Sequence, residues 1–168
     1  ARLGQMAKSG ALDRINAHMK ARTLAKVSRP DPVASIKRAE TTRHWRFDPS
    51  FTLQSDIMDH QGRLIWARGT RVNPLAHVPL RQDLIFLNGD DPIQIRWALH
   101  QAKNAKLILV KGAPLDLMKA HQRRFYFDQQ GKLTGHFGIR AVPARVHAKG
   151  DTLLISELSL NPKGEEQN

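Results

Sequence analysis

Few residues in this chain have types and spacings that could do chemistry. Asp90 and Asp91 stand side by side between Asn88-Gly89 and Pro92, and Val142-Pro143 lies within Phe137-Gly138-Ile139-Arg140-Ala141-Val142-Pro143-Ala144-Arg145-Val146. Paired carboxylates can bind a metal or act as a general base, but no histidine or third carboxylate lies nearby in sequence to complete such a site. Asp91-Pro92 also reads as an N-cap followed by proline at the first helical position, where a cap stabilises a helix by roughly 0.5–2 kcal/mol. Capping is therefore the first role expected of these acids, ahead of ligand binding. The eight histidines, from His18 to His147, never stand at the spacing of a helical metal pair, and no metal site is expected of them. The absence of cysteine excludes thiol catalysis, a disulfide framework and thiolate zinc sites. No P-loop, G-x-G-x-x-G or G-x-S-x-G occurs, and no cofactor is implied.

The elements around these residues alternate. Leu84-Ile85-Phe86-Leu87 is an apolar run stopped by Asn88-Gly89, the pattern of a strand buried on both faces. After the cap, Ile95, Ala98, Leu99 and Ala102 recur at helical spacing, and Lys106 to Val110 supplies a second buried strand, parallel to the first across the helix. Gly112-Ala113-Pro114 opens a short helix carrying Leu115, Leu117 and Met118. Phe125-Tyr126-Phe127 is a short strand, and Asp128-Gln129-Gln130-Gly131 turns the chain. Val142 is pushed into extended backbone by the proline after it, and Pro143, lacking an amide hydrogen, suits the first residue of a strand. Ala144 to His147 and Thr152 to Ser156, across Lys149-Gly150-Asp151, predict a hairpin. The ten residues around Pro143 alone fit a cis or a trans bond. The order strand, helix, strand, helix, short strand, proline loop, hairpin resembles a thioredoxin-like domain and favours cis. The expected fold class is α/β: a thioredoxin-like domain lacking the CxxC, with Asp90-Asp91 where reactive cysteines would stand.

A small β-element and an N-terminal basic helix are expected before that domain. Residues 1–46 hold 11 Lys/Arg against 3 Asp/Glu, and residues 47–168 hold 16 against 12, so most of the net charge of +12 sits in the first third. Leu12, Ile15 and Met19 form a narrow apolar stripe on a basic amphipathic helix of about residues 5–27, ended by Pro30 and Pro32. Strand-like stretches follow between turn signals: Trp45-Arg46-Phe47, Phe51-Thr52-Leu53, Ile57-Met58 and Arg63 to Ala67. The expected organisation is 1–30 basic helix, 31–82 linker and small β-element, 83–160 thioredoxin-like domain and 161–168 polar tail. The longest apolar runs, Leu107 to Val110 among them, are four residues, far short of the roughly 20 a membrane span needs. No signal peptide stands at the start; a leader is either absent or already removed. Trp45, Trp66 and Trp97 read as core or interface anchors rather than base-stacking platforms.

Trp45-Arg46-Phe47-Asp48-Pro49, Gly69-Thr70-Arg71-Val72-Asn73-Pro74-Leu75, Phe86-Leu87-Asn88-Gly89-Asp90-Asp91, Val110-Lys111-Gly112, Phe125-Tyr126-Phe127-Asp128 and the proline loop together resemble the TraW family of F-type conjugation systems. The resemblance covers roughly residues 40–158. It implies an exported periplasmic protein, needed for assembling the conjugative pilus and acting with the periplasmic partner TrbC, which resembles the same domain. It brings no catalytic residues, no small-molecule substrate and no enzymatic role. Two partner surfaces are expected: the groove between Asp90-Asp91-Pro92 and Val142-Pro143, where the backbone of Val142 pairs with a partner strand, and the helix stripe Leu12, Ile15 and Met19. The alternatives are a nucleic-acid-binding protein using its basic arm, and a non-thiol enzyme on the same fold.

Overall fold

A computed structural model describes residues 10–168. In chain order the elements are α1 (Ala11–Ser28), β1 (Lys37–Arg38), β2 (Arg43–Phe47), β3 (Phe51–Thr52), β4 (Ile57–Met58), β5 (Leu64–Trp66), β6 (Arg71–Val72) and β7 (Leu84–Asn88). Then come α2 (Pro92–Leu99), β8 (Lys106–Lys111), α3 (Pro114–His121), β9 (Phe125–Phe127), α4 (Lys132–Phe137), β10 (Ala141–Val142), β11 (Ala144–Lys149), β12 (Thr152–Glu157), β13 (Ser159–Leu160) and β14 (Glu166–Gln167).

The core is a six-stranded sheet in the order β2-β12-β11-β7-β8-β9. β7, β8 and β9 run parallel, while β7-β11, β11-β12 and β12-β2 are antiparallel. The apolar runs of β7 and β8 fill the centre because both faces there are covered. Ile85, Leu87, Leu107 and Leu109 pack beneath Trp97 and Ala98 of α2 and Leu117 and Met118 of α3. On the other face Phe86, Ile108 and Val110 pack with Phe137, Ile139, Val146 and Ile155. Each such fully buried side chain contributes about 1.5–3 kcal/mol. The mixed α/β composition and the element order from β7 onward match the sequence reading.

Three features differ from it. Trp45-Arg46-Phe47 belongs to the main sheet as β2, with Trp45 opposite Ile155 and Arg43 stacked 4.5 Å from the Trp45 ring centre. Arg43 and Arg46 make this edge strand basic, which blunts pairing with another chain. Residues 132–137 form α4, although six residues are too few to show periodicity. Gly131, at φ 66°, enters the turn, and the buried Asp128 carboxylate accepts from the amides of Leu133 at 2.9 Å and Thr134 at 3.0 Å. The polar tail folds back, β14 pairing with β13, and Glu166 accepts from Trp97 Nε1 at 3.0 Å and Arg145 Nη2 at 2.5 Å. Between β2 and β7, the pairs β3-β6 and β4-β5 form the small β-element, with Phe51, Met58, Leu64 and Ile65 exposed.

The N-terminal helix also departs from the expected amphipathic form. Its predicted start lies outside the described residues, and over Ala11–Ser28 it buries no side chain. Leu12 is half-buried, whereas Ile15 and Met19 are exposed. Arg22 and Lys26, three and seven residues beyond Met19, take over the side that the stripe began, so no continuous apolar face forms. α1 passes beside α3, and among the described residues no helix is long and apolar enough to cross a membrane.

Candidate functional site

The end of β7, the start of α2 and the loop before β11 converge, as the sequence predicts. Gly89 leaves β7 by donating its amide to the Lys111 carbonyl at 2.7 Å. A Cβ at Gly89 would sit 2.9 Å from that oxygen and 2.9 Å from Leu117 Cδ1, so the close crossing of the two turns requires glycine. Asn88 Oδ1 accepts from the Asp90 amide at 2.9 Å. Asp91 then caps α2, its Oδ1 accepting from the amides of Ile93 at 2.9 Å and Gln94 at 3.3 Å. Across from the cap, the Val142-Pro143 bond is cis and both residues are buried.

Gln94 joins the two sides, and sequence reasoning missed it. Its side chain is buried; Nε2 donates to Asp91 Oδ2 at 3.1 Å and to the Val142 carbonyl at 3.4 Å, while Oε1 accepts from the Asn88 amide at 2.8 Å. The available signal was Gln94's place three residues after the cap, the capping-box position. Glu157 was missed as well. It is buried beneath the same loop, where Oε1 accepts from the amides of Arg140 at 2.8 Å and Ala141 at 3.3 Å and pairs with Arg43 Nη2 at 3.0 Å.

The groove holds the chain's own residues 29–40, so the Val142 backbone, expected to pair with a partner strand, here pairs with a strand of the same chain. β1 pairs parallel with β10: Lys37 N donates to the Arg140 carbonyl at 3.2 Å and Ala39 N to the Val142 carbonyl at 2.8 Å. Upstream, Val33 N donates to the Val110 carbonyl at 2.8 Å. Asp90 and Asp91 are ion-paired rather than open. Arg29 Nη2 reaches both Asp90 oxygens at 2.8 and 2.7 Å, with Lys111 Nζ 4.0 Å away, and Arg38 Nη1 lies 3.1 Å from Asp91 Oδ2. The physical reason is that this polar-looking stretch carries just enough apolar surface to dock. Ala39 is buried, and Val33 and Ile36 pack against the cluster of Phe86, Val110 and Val142.

Asp90, Asp91 and Val142 therefore lie together against residues 29–40, with Pro143 following Val142 across the cis bond, an arrangement that can hold an extended backbone between two carboxylates and a carbonyl edge. Leu12, Ile15 and Met19 lie apart from it on α1, which meets the groove at Arg29, the residue closing its C-terminal end. Among the described residues, no three His, Cys, Asp or Glu gather as metal ligands.

No protein-family model matches the chain, and no solved structure matches it. The chain is similar to Protein TraW of Escherichia coli (strain K12), with 41% identity over 160 residues, covering 93% of this chain and 76% of that relative. Identity at that level over nearly the whole chain means that the protein belongs to the TraW family.

Proposed function

We propose that the chain is a non-catalytic, periplasmic assembly component of a conjugative type IV secretion apparatus. It serves pilus assembly and DNA transfer through contacts with a TrbC-like protein and other apparatus proteins. Membership of the TraW family supports the transfer system. The contact role rests on one observation: α1 runs 18 residues without burying a side chain, and Ile15, Met19, Leu24 and Val27 are all exposed. Helices in proteins owe most of their stability to packing, so a helix this bare is completed by a partner. In this reading Leu12, Ile15 and Met19 meet the partner, while Asp90, Asp91, Val142 and Pro143 seat the segment that aims the helix. The domain behind them is thioredoxin-like, a reading supported by the parallel β7-α2-β8 unit, the cis-proline before β11 and the antiparallel β11-β12 hairpin.

The test is pull-down of the co-expressed TrbC-like protein by the full chain carrying Ile15→Asp and Met19→Asp. Loss of capture, with an unchanged melting midpoint, is the expected result; undiminished capture overturns the contact role.

A further inference from the structure

We propose that residues 29–40 are an exchangeable strap, an internal ligand in a peptide groove whose external ligand is an extended segment of the same chemistry. That ligand carries two apolar side chains three residues apart, as Val33 and Ile36 are, then a cation two residues on that reaches Asp91 as Arg38 does. The strap itself reports what the groove recognises.

Four observations make the strap an occupant rather than fixed core. Its β pairing is confined to two residues, Lys37 and Arg38, whereas β11 and β12 pair over six. Its ends are held by guanidinium groups that are about half exposed, Arg29 at 54% and Arg38 at 46%, where water and salt weaken the attraction. Ser35 sits at φ 63°, a left-handed conformation that strains a residue with a Cβ, and such strain gathers in segments that switch. Solvent reaches it from both sides: an open pocket of about 190 Å³ lies between Val33–Ile36 and the Gln130–Gly131 turn, and another of about 230 Å³ lies between Ile36 and Gln94, each with room for a bulkier side chain.

Exchange at the groove acts on α1 as well. Displacing the strap separates Arg29 from Asp90 and removes the anchor that directs the helix. This coupling deepens the assembly role proposed above and rests on it; the groove's ligand chemistry does not.

The experiment uses the full chain and a fluorescein-labelled peptide of residues 29–42, followed by fluorescence anisotropy. The tethered strap competes at an effective concentration on the order of millimolar, so wild-type protein binds the peptide weakly. Weakening the internal strap with Val33→Ala and Arg38→Ala raises the open fraction and tightens peptide binding roughly tenfold. Adding Asp91→Asn, which keeps a good helix cap, reverses the gain. A second arm exploits the cysteine-free chain. Lys37→Cys with Ala141→Cys places thiols on directly paired residues, so oxidation locks the strap and abolishes peptide binding, and reduction restores it in the same folded sample. Equal binding to the oxidised and reduced forms overturns the proposal, as does equal binding of a scrambled peptide. Because no apparatus protein is present, failure here leaves the pull-down result, and the assembly role it tests, standing.

Discussion

Gln94 ties the end of β7, the cap of α2 and the Val142 carbonyl into one unit through a single amide side chain. Gln94→Leu keeps the bulk but strips the Asn88 amide of its acceptor, a loss of about 1–3 kcal/mol. Asp91→Asn retains the cap through Oδ1, gives up the half-exposed pair with Arg38, which costs under about 1 kcal/mol, and turns an amide donor toward Gln94 Nε2, so it loses one of the three Gln94 hydrogen bonds where Gln94→Leu loses all three. Urea unfolding should therefore rank Gln94→Leu as the more damaging change, and the reverse order would refute this account of the site. The cap itself was legible because Asp91, Pro92 and Gln94 are neighbours in sequence. Glu157 was not, since its ion-pair partner Arg43 lies 114 residues away and only the completed sheet brings the two together.

At the scale of elements, the β4-β5 hairpin depends on Asp59. Its Oδ1 accepts from the amides of Gln61 and Arg63, both at 2.9 Å, and its Oδ2 pairs with Arg63 Nε at 2.8 Å. The Arg63 amide is the foremost cause holding this carboxyl below its ordinary 3.8, with the Arg63 side chain and the Gln61 amide adding to it against the opposing effect of burial. A lowered folded value means that the turn's stabilisation is complete above the ordinary aspartate range and is lost as pH falls through the folded value. The protection of the Gln61 and Arg63 amides, taken relative to their intrinsic exchange at each pH, should fall on acidification below that range, and Asp59→Asn should remove that pH dependence of protection. Persistence of the acid effect in the variant would count against the turn. α1 offers the opposite case, a helix whose existence the spacing foretold but whose apolar face it overstated. Leu12, Ile15 and Met19 start a stripe, but the same spacing carried on reaches Arg22 and Lys26, which cut it short.

For the whole molecule, burial divides the chain into a rigid centre and a lighter periphery. Ile85, Leu87, Leu107 and Leu109 are wholly buried, while Phe51, Met58, Leu64 and Ile65 of the small β-element are exposed. Hydrogen exchange should protect β7 and β8 up to the global unfolding free energy and leave residues 51–66 opening far more readily. Equal protection of both regions would contradict this division. The sequence made the centre legible because strands buried on both faces are written as unbroken apolar runs. It hid the strap because residues 33–40 hold only two large apolar side chains, Val33 and Ile36, and their worth appears only against Phe86 and Val142. The strap's place in the chain carries a consequence for the order of folding. Residues near the beginning dock on β10, and β2 docks on β12, both near the end. Closing contacts so distant is slow compared with local structure, so the central β7-α2-β8 unit is expected to assemble first. Residues 29–47, which precede that unit in the chain, then settle after it, and the strap that directs α1 is complete only once β10 is in place.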